Sequence, residues 1–214
     1  MSLPAPAPLR VTFVRHGITD WNLEGRWQGW TDTALSEVGI RQAQSVRTRL
    51  EGKCWDAVYS SDLTRAQETA RIAGLEPVLD ARLREIHFGA FEGGLSRENA
   101  LHPEFKTWLE QPGTLQTPGG ESYGDLYTRA LDWLSELPES GDVLAFSHGG
   151  TIQTLVTGLL GVPAMVAPRI WRFSITHASL TVLERWWTPT GFVWTLERLN
   201  DTAHLEGIEA AAVE

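Results

Sequence analysis

The alternation of short apolar runs with segments of helical spacing restricts the fold of this 214-residue chain more than any other feature. Runs at 9–14, 55–60 and 141–147 have the length and composition of buried strands. Apolar residues at helical spacing follow each of them, and another such segment precedes the third run. This alternation predicts an α/β fold, with a mostly parallel central sheet and helices on both faces.

Boundary signals place the elements. Ser36 is predicted to cap a helix that stops at Gly52, and Ser61 or Asp62 to cap a helix that ends near Gly74. The pattern also predicts a short strand at 76–79, a helix that opens within the block 119–137 and runs to about 137, and strands near 170–175, 178–185 and 192–199. We expect a disordered tail over 1–9, one domain over 10–205 and an acidic tail over 206–214. Within the domain, the Gly- and Pro-rich stretch 85–120, with short helices around 96–110, is predicted to be an inserted cap over the site.

Charge and composition exclude several classes of partner. The net charge of −9 argues against binding to nucleic acid or to an anionic membrane. The N-terminus lacks the features of a signal peptide, and polar residues and a proline interrupt the most apolar stretch, 151–167. With Cys54 as the single cysteine, the expectation is a cytoplasmic protein, either a monomer or a homodimer.

Polar residues follow the predicted strands where parallel strands end. Arg15-His16-Gly17 follows the strand at 9–14, His148-Gly149-Gly150 follows the strand at 141–147, and Arg65 lies in the first turn of the helix after the strand at 55–60. Because ligands bind at the carboxyl edge of such sheets, these groups can converge. Each has an ordinary explanation when taken alone: a structural histidine, a tight turn, or an ion pair between Arg65 and Asp62 three residues earlier. Glu85, in a later loop, would by itself be an ordinary solvated charge.

Together, these residue types suit phosphoryl transfer. Arginine forks match phosphate oxygens, and amides at the helix start after Gly149-Gly150 add donors for an anion. A neutral histidine is a competent nucleophile, and a carboxyl such as Glu85 can protonate the leaving oxygen and later activate water. No metal or other cofactor is required, and the sequence contains no HExxH, CxxC, GxxxxGK[ST] or GxGxxG motif. From chemistry alone, His16 and His148 are equal candidates for the nucleophile.

The block "RHGITDWN" (15–22) resembles the signature of the histidine phosphatase superfamily, the phosphoglycerate mutase-like family. Arg-His-Gly alone is common by chance, whereas several blocks in one order are specific. The similarity extends over about residues 10–205 in the family's order, through "RWQGWTDTALSEVGIRQA", "VYSSDLTRAQETA", "LREIHFGAFEG", "PGGESYGDL", "SHGGTIQTL" and "LERLNDTAHL".

The resemblance implies a role for each matching position. It implies that His16 is phosphorylated in turnover and that Glu85 is the acid and base. It further implies that the phosphate or substrate is bound by the side chains or backbone of Arg15, Gly17, Asn22, Gln28, Arg65, His148 and Gly149. The expected function is a metal-independent phosphomonoesterase that acts on a small phosphorylated metabolite through a phosphohistidine.

Two alternatives stay open. A phosphoglycerate mutase is the first, but the mutases that the chain resembles have a longer insertion after the FGxxEG block and an Asn where Gly150 stands. The segment 93–118 also supplies only Arg97 and Lys106 as cations for a second anionic group. The second alternative is a non-catalytic phosphate-binding or protein-interaction module, which the presence of both His16 and Glu85 disfavours. The sequence does not identify the substrate.

Overall fold

A computed structural model of the protein describes residues 7–161 and 173–208. Its strands are β1 (Leu9–Arg15), β2 (Ala57–Ser60), β3 (Val78–Leu79), β4 (Gly141–Ser147), β5 (Leu180–Thr188) and β6 (Gly191–Asp201). Its α-helices are α1 (Asp20–Leu23), α2 (Glu37–Leu50), α3 (Thr64–Ile72), α4 (Ser96–Asn99), α5 (Pro103–Glu110), α6 (Tyr123–Ser135) and α7 (Gly149–Leu159). Short 3₁₀ helices lie at Ala81–Leu83, Gly89–Phe91 and Ala203–Leu205.

The six strands form one sheet in the order β3-β2-β4-β1-β5-β6. The first four in this order run parallel to one another, and β5 and β6 form an antiparallel hairpin on the β1 side. The predicted mostly parallel α/β sheet is therefore confirmed. In the pairing of β1 with β4, Arg15 lies opposite Ser147, and the His16 amide donates to the Ser147 carbonyl at 3.0 Å. This register brings the residues after the two strands side by side.

Period-two alternation within β1 and β4 builds a core on each face of the sheet. Phe13 and Ala145 point to one face, where they belong to a buried cluster that includes residues of α6 and α7. Val14 and Phe146 point to the other face and pack with α2 and α3. Helices therefore cover both faces, which explains why these strands read as continuous apolar runs.

One predicted cap is confirmed and another is wrong. The Ser36 hydroxyl accepts from the Gly39 amide at the start of α2. At α3, neither Ser61 nor Asp62 occupies the N-cap position, which belongs to Leu63. The carboxylate of Asp32, from a distant loop, instead accepts from the Thr64 amide at 2.7 Å. A tertiary contact thus replaces the local cap.

The predicted cap segment, 85–120, contains α4 and α5 in a largely irregular path, as expected. Its hydrophobic side chains pack with those of α6 in a small core of their own, which consists of Ile86, Phe91, Phe105, Trp108, Tyr123 and Leu126, with Trp27 and Phe88 beside them. The strand predicted near 170–175 falls partly outside the described residues, and 173–175 form no strand. No part of the described chain forms a helix long and apolar enough to cross a membrane. The division into one domain with two tails stays a prediction.

Candidate active site

The carboxyl ends of β1 and β4 bring two buried histidines together. The ring centroids of His16 and His148 are 5.0 Å apart, and the two residues are 3% and 0% exposed. His148 is the N-cap residue of α7, with an extended backbone that turns the chain from strand into helix. The side-by-side placement expected from the sequence is therefore present in the structure.

The hydrogen bonding of His16 decides which of its nitrogens can attack an electrophile. Nδ1 lies 2.7 Å from the Gly17 carbonyl oxygen, which can only accept, so Nδ1 carries the proton. Nε2 of the neutral ring consequently has a free lone pair. Burial, followed by the charges of Arg65 and Arg15, holds the pKa of His16 well below its usual 6.5. The imidazole is therefore neutral and nucleophilic at neutral pH.

Two arginines face this pair of histidines. Arg65 is 1% exposed, and its guanidinium donates to the Gly29 and Thr31 carbonyls at 2.7 and 3.1 Å. Arg15 donates to the Ile175 carbonyl. Burial lowers the pKa of each arginine to about 10, which still leaves both charged at neutral pH. Asp62 binds Arg84 at 2.6 Å, so a surface ion pair between Asp62 and Arg65 is excluded as the explanation of Arg65.

Several buried polar atoms of the site have no hydrogen-bond partner among the described residues. They are both ring nitrogens of His148 and the Nε atoms of Arg15 and Arg65. Burial, with Arg65 the next cause, also lowers the pKa of His148 well below 6.5. Leaving such a group unpaired costs about 1–3 kcal/mol, and a bound anion would accept from the donors among them, which are the two arginine Nε–H groups and the single N–H of the neutral His148 ring.

Glu85 reaches the same edge from the loop after the 3₁₀ helix Ala81–Leu83. Its carboxylate accepts from the Gly150 amide at 3.0 Å and from its neighbour Ile86 at 2.9 Å. A Cβ at Gly150 would lie 2.3 Å from Glu85 Oε1, so only glycine permits this approach. The Gly150 amide, which the sequence suggested as a donor to the substrate anion, thus binds the carboxylate of Glu85.

The backbone of Glu85 is held by two residues, Trp30 and Arg129, that the sequence did not connect with it. The Trp30 indole and the Arg129 guanidinium both donate to the Glu85 carbonyl, each at 2.7 Å. The Trp30 ring lies between the guanidinium of Arg84 and the stacked ring of His87. Nothing local in the sequence links these positions, because they come together only through the packing of separate segments.

The remaining predicted binding residues are engaged within the protein. Asn22 Oδ1 accepts from the Thr19 amide in the capping box of α1, and Gln28 Oε1 lies 3.0 Å from the Thr19 hydroxyl. The Gly17 amide donates to a threonine hydroxyl of α3, and a Cβ at Gly17 would lie 2.6 Å from the Gly39 carbonyl of α2. The missing side chain of Gly17 therefore serves close packing against α2.

Gly149 lies close to the side chain of Arg15, the last residue of β1. A Cβ at Gly149 would lie 3.2 Å from Arg15 Cζ, which is tighter than an ordinary contact. No group of three or more His, Cys, Asp or Glu in the described ranges is arranged to hold a metal ion.

A third histidine, His177, also lies at the site. Its Nε2 is 2.7 Å from Arg15 Nη2, and its ring centroid is 5.5 Å from that of His16. The sequence pattern did not mark His177 as a residue of the site. The missing signal was strand direction: β5 runs antiparallel to β1, so residues before β5 lie where β1 ends.

The model of the histidine phosphatase superfamily (branch 1) matches residues 11–202. The chain belongs to this superfamily. A probable phosphoglycerate mutase GpmB of Yersinia pestis is 39% identical to it over 209 residues, covering 92% of this chain and 95% of the relative.

Solved structures of superfamily members have the same fold as this chain. The mycobacterial glucosyl-3-phosphoglycerate phosphatase superposes with a TM-score of 0.79 at 32% identity, covering 91% of this chain and all of the other. A putative α-ribazole-5′-P phosphatase from Escherichia coli superposes with a TM-score of 0.80 at 28% identity, covering 92% and 97% of the two chains. Membership supports an enzyme that acts on phosphate esters.

Proposed function

We propose that the protein is a phosphomonoesterase that hydrolyses a small phosphorylated metabolite through a phosphohistidine at His16. The observation that carries this proposal is the neutral His16, with its Nε2 lone pair free, beside buried donors of Arg15, Arg65 and His148 that have no partner among the described residues. A tetrahedral anion with several acceptor oxygens is the ligand that such a set of donors would bind.

In the first step, His16 Nε2 attacks phosphorus, forming a P–N bond while the bond from phosphorus to the ester oxygen breaks. The electron pair of that bond goes to the leaving oxygen, which takes a proton from the carboxyl group of Glu85. Arg15 and Arg65 stabilise the charge on the equatorial oxygens, since both guanidinium groups stay charged at neutral pH.

In the second step, the Glu85 carboxylate takes a proton from water as the water oxygen attacks phosphorus. The P–N bond breaks, its electron pair returns to Nε2, and inorganic phosphate leaves. The cycle closes with His16 neutral and Glu85 protonated. Positive charge comes from the two guanidinium groups, which would also repel a metal cation, so we propose a metal-independent reaction.

A mutase reaction is the second candidate, because the Yersinia relative is named a probable phosphoglycerate mutase. A mutase must bind a second anionic group of its substrate near the first. Of the segment 93–118, the cations Arg97 and Lys106 are both exposed, so this segment places no buried cation near the site. The exposure of these two cations favours hydrolysis over a mutase reaction. The two solved relatives described above are both named as phosphatases, which favours hydrolysis as well.

Hydrolysis of p-nitrophenyl phosphate and of a panel of phosphorylated metabolites, each with and without EDTA, tests the proposal. Mutase activity on 3-phosphoglycerate is measured alongside. We expect EDTA-resistant hydrolysis that His16→Ala abolishes and that His102→Ala, a change in the exposed part of the cap segment, leaves intact. Loss of activity in EDTA would indicate a metallohydrolase. Dominant mutase activity would select the second candidate, and no activity on any ester would revive the non-catalytic module.

A further inference from the structure

His177 lies in direct contact with the phosphate-binding machinery, although no step of the proposed mechanism uses it. Its ring sits edge-on to His16, with an interplanar angle of 63°. Its Nε2 is 2.7 Å from Arg15 Nη2, a normal hydrogen-bond distance. Two residues earlier, the Ile175 carbonyl accepts from Arg15 Nη1. Both terminal nitrogens of the Arg15 guanidinium are thus bound by the segment that precedes β5.

The chemistry of this contact fixes the state of His177. A guanidinium has donors only, so His177 Nε2 must accept and its proton must reside on Nδ1. Burial, with the charges of Arg15, His16 and Arg65, lowers the pKa of His177 well below its usual value. A protonated ring could not accept this bond, so the contact requires the neutral form that these surroundings favour.

The turn that carries His177 is held in an unusual conformation. Ala178 has φ +58°, a left-handed value that is unfavourable for a residue other than glycine. Its amide donates to the carbonyls of Arg15 and His16 at 3.0 and 3.1 Å. Its carbonyl accepts from His204 Nε2 at 2.9 Å. The fold therefore ties a strained residue to the backbone of the two residues that matter most for the site, and this tie sets His177 against Arg15.

We propose that His177 is a positioning residue that fixes the Arg15 guanidinium for the phosphoryl group. With Nη1 and Nη2 bound by Ile175 and His177, the plane of the guanidinium is set, and Nε has no partner among the described residues. Without the acceptor at His177, the Arg15 guanidinium would keep its hydrogen bond to the Ile175 carbonyl and could rotate about that bond. The inference rests on the proposed phosphate binding by Arg15.

The acceptor can be removed and restored by substitution. His177→Ala removes it, whereas His177→Gln places an amide oxygen at a reach similar to that of Nε2. We expect His177→Ala to weaken binding of inorganic phosphate and orthovanadate, measured by calorimetry, by about 10- to 100-fold, as for loss of a hydrogen bond to a charged group. The kcat/KM for p-nitrophenyl phosphate should fall by a similar factor. His177→Gln should recover most of both, and His102→Ala should change neither.

Two further measurements separate positioning from a merely structural role. Thermal unfolding shows whether His177→Ala is folded, and a His177→Ala, Arg15→Ala double variant shows whether the residue acts through Arg15. We expect the double variant to bind phosphate no worse than Arg15→Ala alone. Undiminished phosphate binding in His177→Ala, or a full additional loss in the double variant, would overturn the inference. If the wild-type protein binds neither anion, the proposed function itself fails, and this inference fails with it.

Discussion

Substitution of Gly150 by alanine is expected to displace the Glu85 carboxylate without unfolding the protein, so it tests the role of that carboxylate in catalysis. The added Cβ would lie 2.3 Å from Glu85 Oε1, whereas ordinary contact begins near 3.4 Å, so the carboxylate must retreat by about 1 Å. Because the contacted atom is the end of a side chain, the fold can accommodate this shift. The bond from the Gly150 amide to Glu85 Oε2, 3.0 Å long, would be strained or lost.

Opposing effects keep the cost to stability small. A bond to a charged group is worth about 1.5–3 kcal/mol, and replacing glycine in a helix returns up to about 1 kcal/mol. We expect the free energy of unfolding to change by less than about 2 kcal/mol. A displacement of 1 Å at a reacting group can cost about 100-fold in rate, so we expect kcat on an alkyl ester such as glycerol phosphate to fall about 10- to 100-fold.

The leaving group identifies the cause of this loss. A p-nitrophenolate leaves without a proton, so formation of the phosphohistidine from p-nitrophenyl phosphate does not need the Glu85 acid. The kcat/KM for p-nitrophenyl phosphate, which reports this first step and not the later attack of water, should therefore fall far less than that for glycerol phosphate, as we also expect for Glu85→Gln. In a Glu85→Gln background, Gly150→Ala should add little further loss, because the proton donor is already absent. Equal losses on both esters, or a further tenfold loss in the double variant, would refute the placement of Glu85 as the acid.

Three other predictions concern the neutral histidines of the site, the Arg65 guanidinium and the contact of Asp32 with the start of α3. The pKa values of His16, His148 and His177 are lowered in the folded state, so the unfolded chain takes up more protons as the pH falls. The free energy of unfolding should therefore be fully present above about pH 6.5 and fall below it, by up to about 1.4 kcal/mol per pH unit for each histidine that stays neutral in the folded protein. Chemical denaturation midpoints that do not change between pH 5 and 8 would contradict neutral histidines in the folded site. Arg65→Lys keeps the charge but cannot form both hydrogen bonds that the guanidinium donates to the Gly29 and Thr31 carbonyls, so kcat should drop by about 10²–10³ in steady-state assays. A near-normal kcat would show that the planar guanidinium is not required at this position. Asp32→Ala should lower the free energy of unfolding by about 1 kcal/mol in chemical denaturation, and Asp32→Asn by less; an unchanged value would show that the cap of α3 contributes nothing.

The parts of the fold that the sequence predicts correctly are those set by local pattern and burial. β1 and β4 are buried on both faces, which requires continuous apolar runs, and Ser36 caps α2 with its own hydroxyl. The cap of α3 was mispredicted because Asp32 comes from elsewhere in the chain. No pattern around Thr64 can report a partner that arrives through tertiary packing.

The same distinction applies to the site. Strand ends and glycines placed His16 and His148 at one edge, and the family resemblance pointed to Glu85. Only the structure relates Trp30 and Arg129 to the Glu85 carbonyl, because these residues are 55 and 44 positions away from it. The sequence did not predict His177 as a site residue, because its position beside the end of β1 depends on β5 running antiparallel to β1. Hydrophobic periodicity does not indicate strand direction.

The proposal that His16 is the nucleophile is tested most simply by identifying the atom that becomes phosphorylated during turnover. After rapid acid-free quenching with a phosphomonoester substrate, peptide mapping and ³¹P NMR identify the phosphorylated atom. Because Nδ1 of His16 donates to the Gly17 carbonyl, we expect an acid-labile phosphoramidate on Nε2 of His16. It should be absent from His16→Ala and longer-lived in Glu85→Gln. A phosphoryl group on His148 or on Nδ1, or a labelled His16→Ala protein, would contradict this proposal.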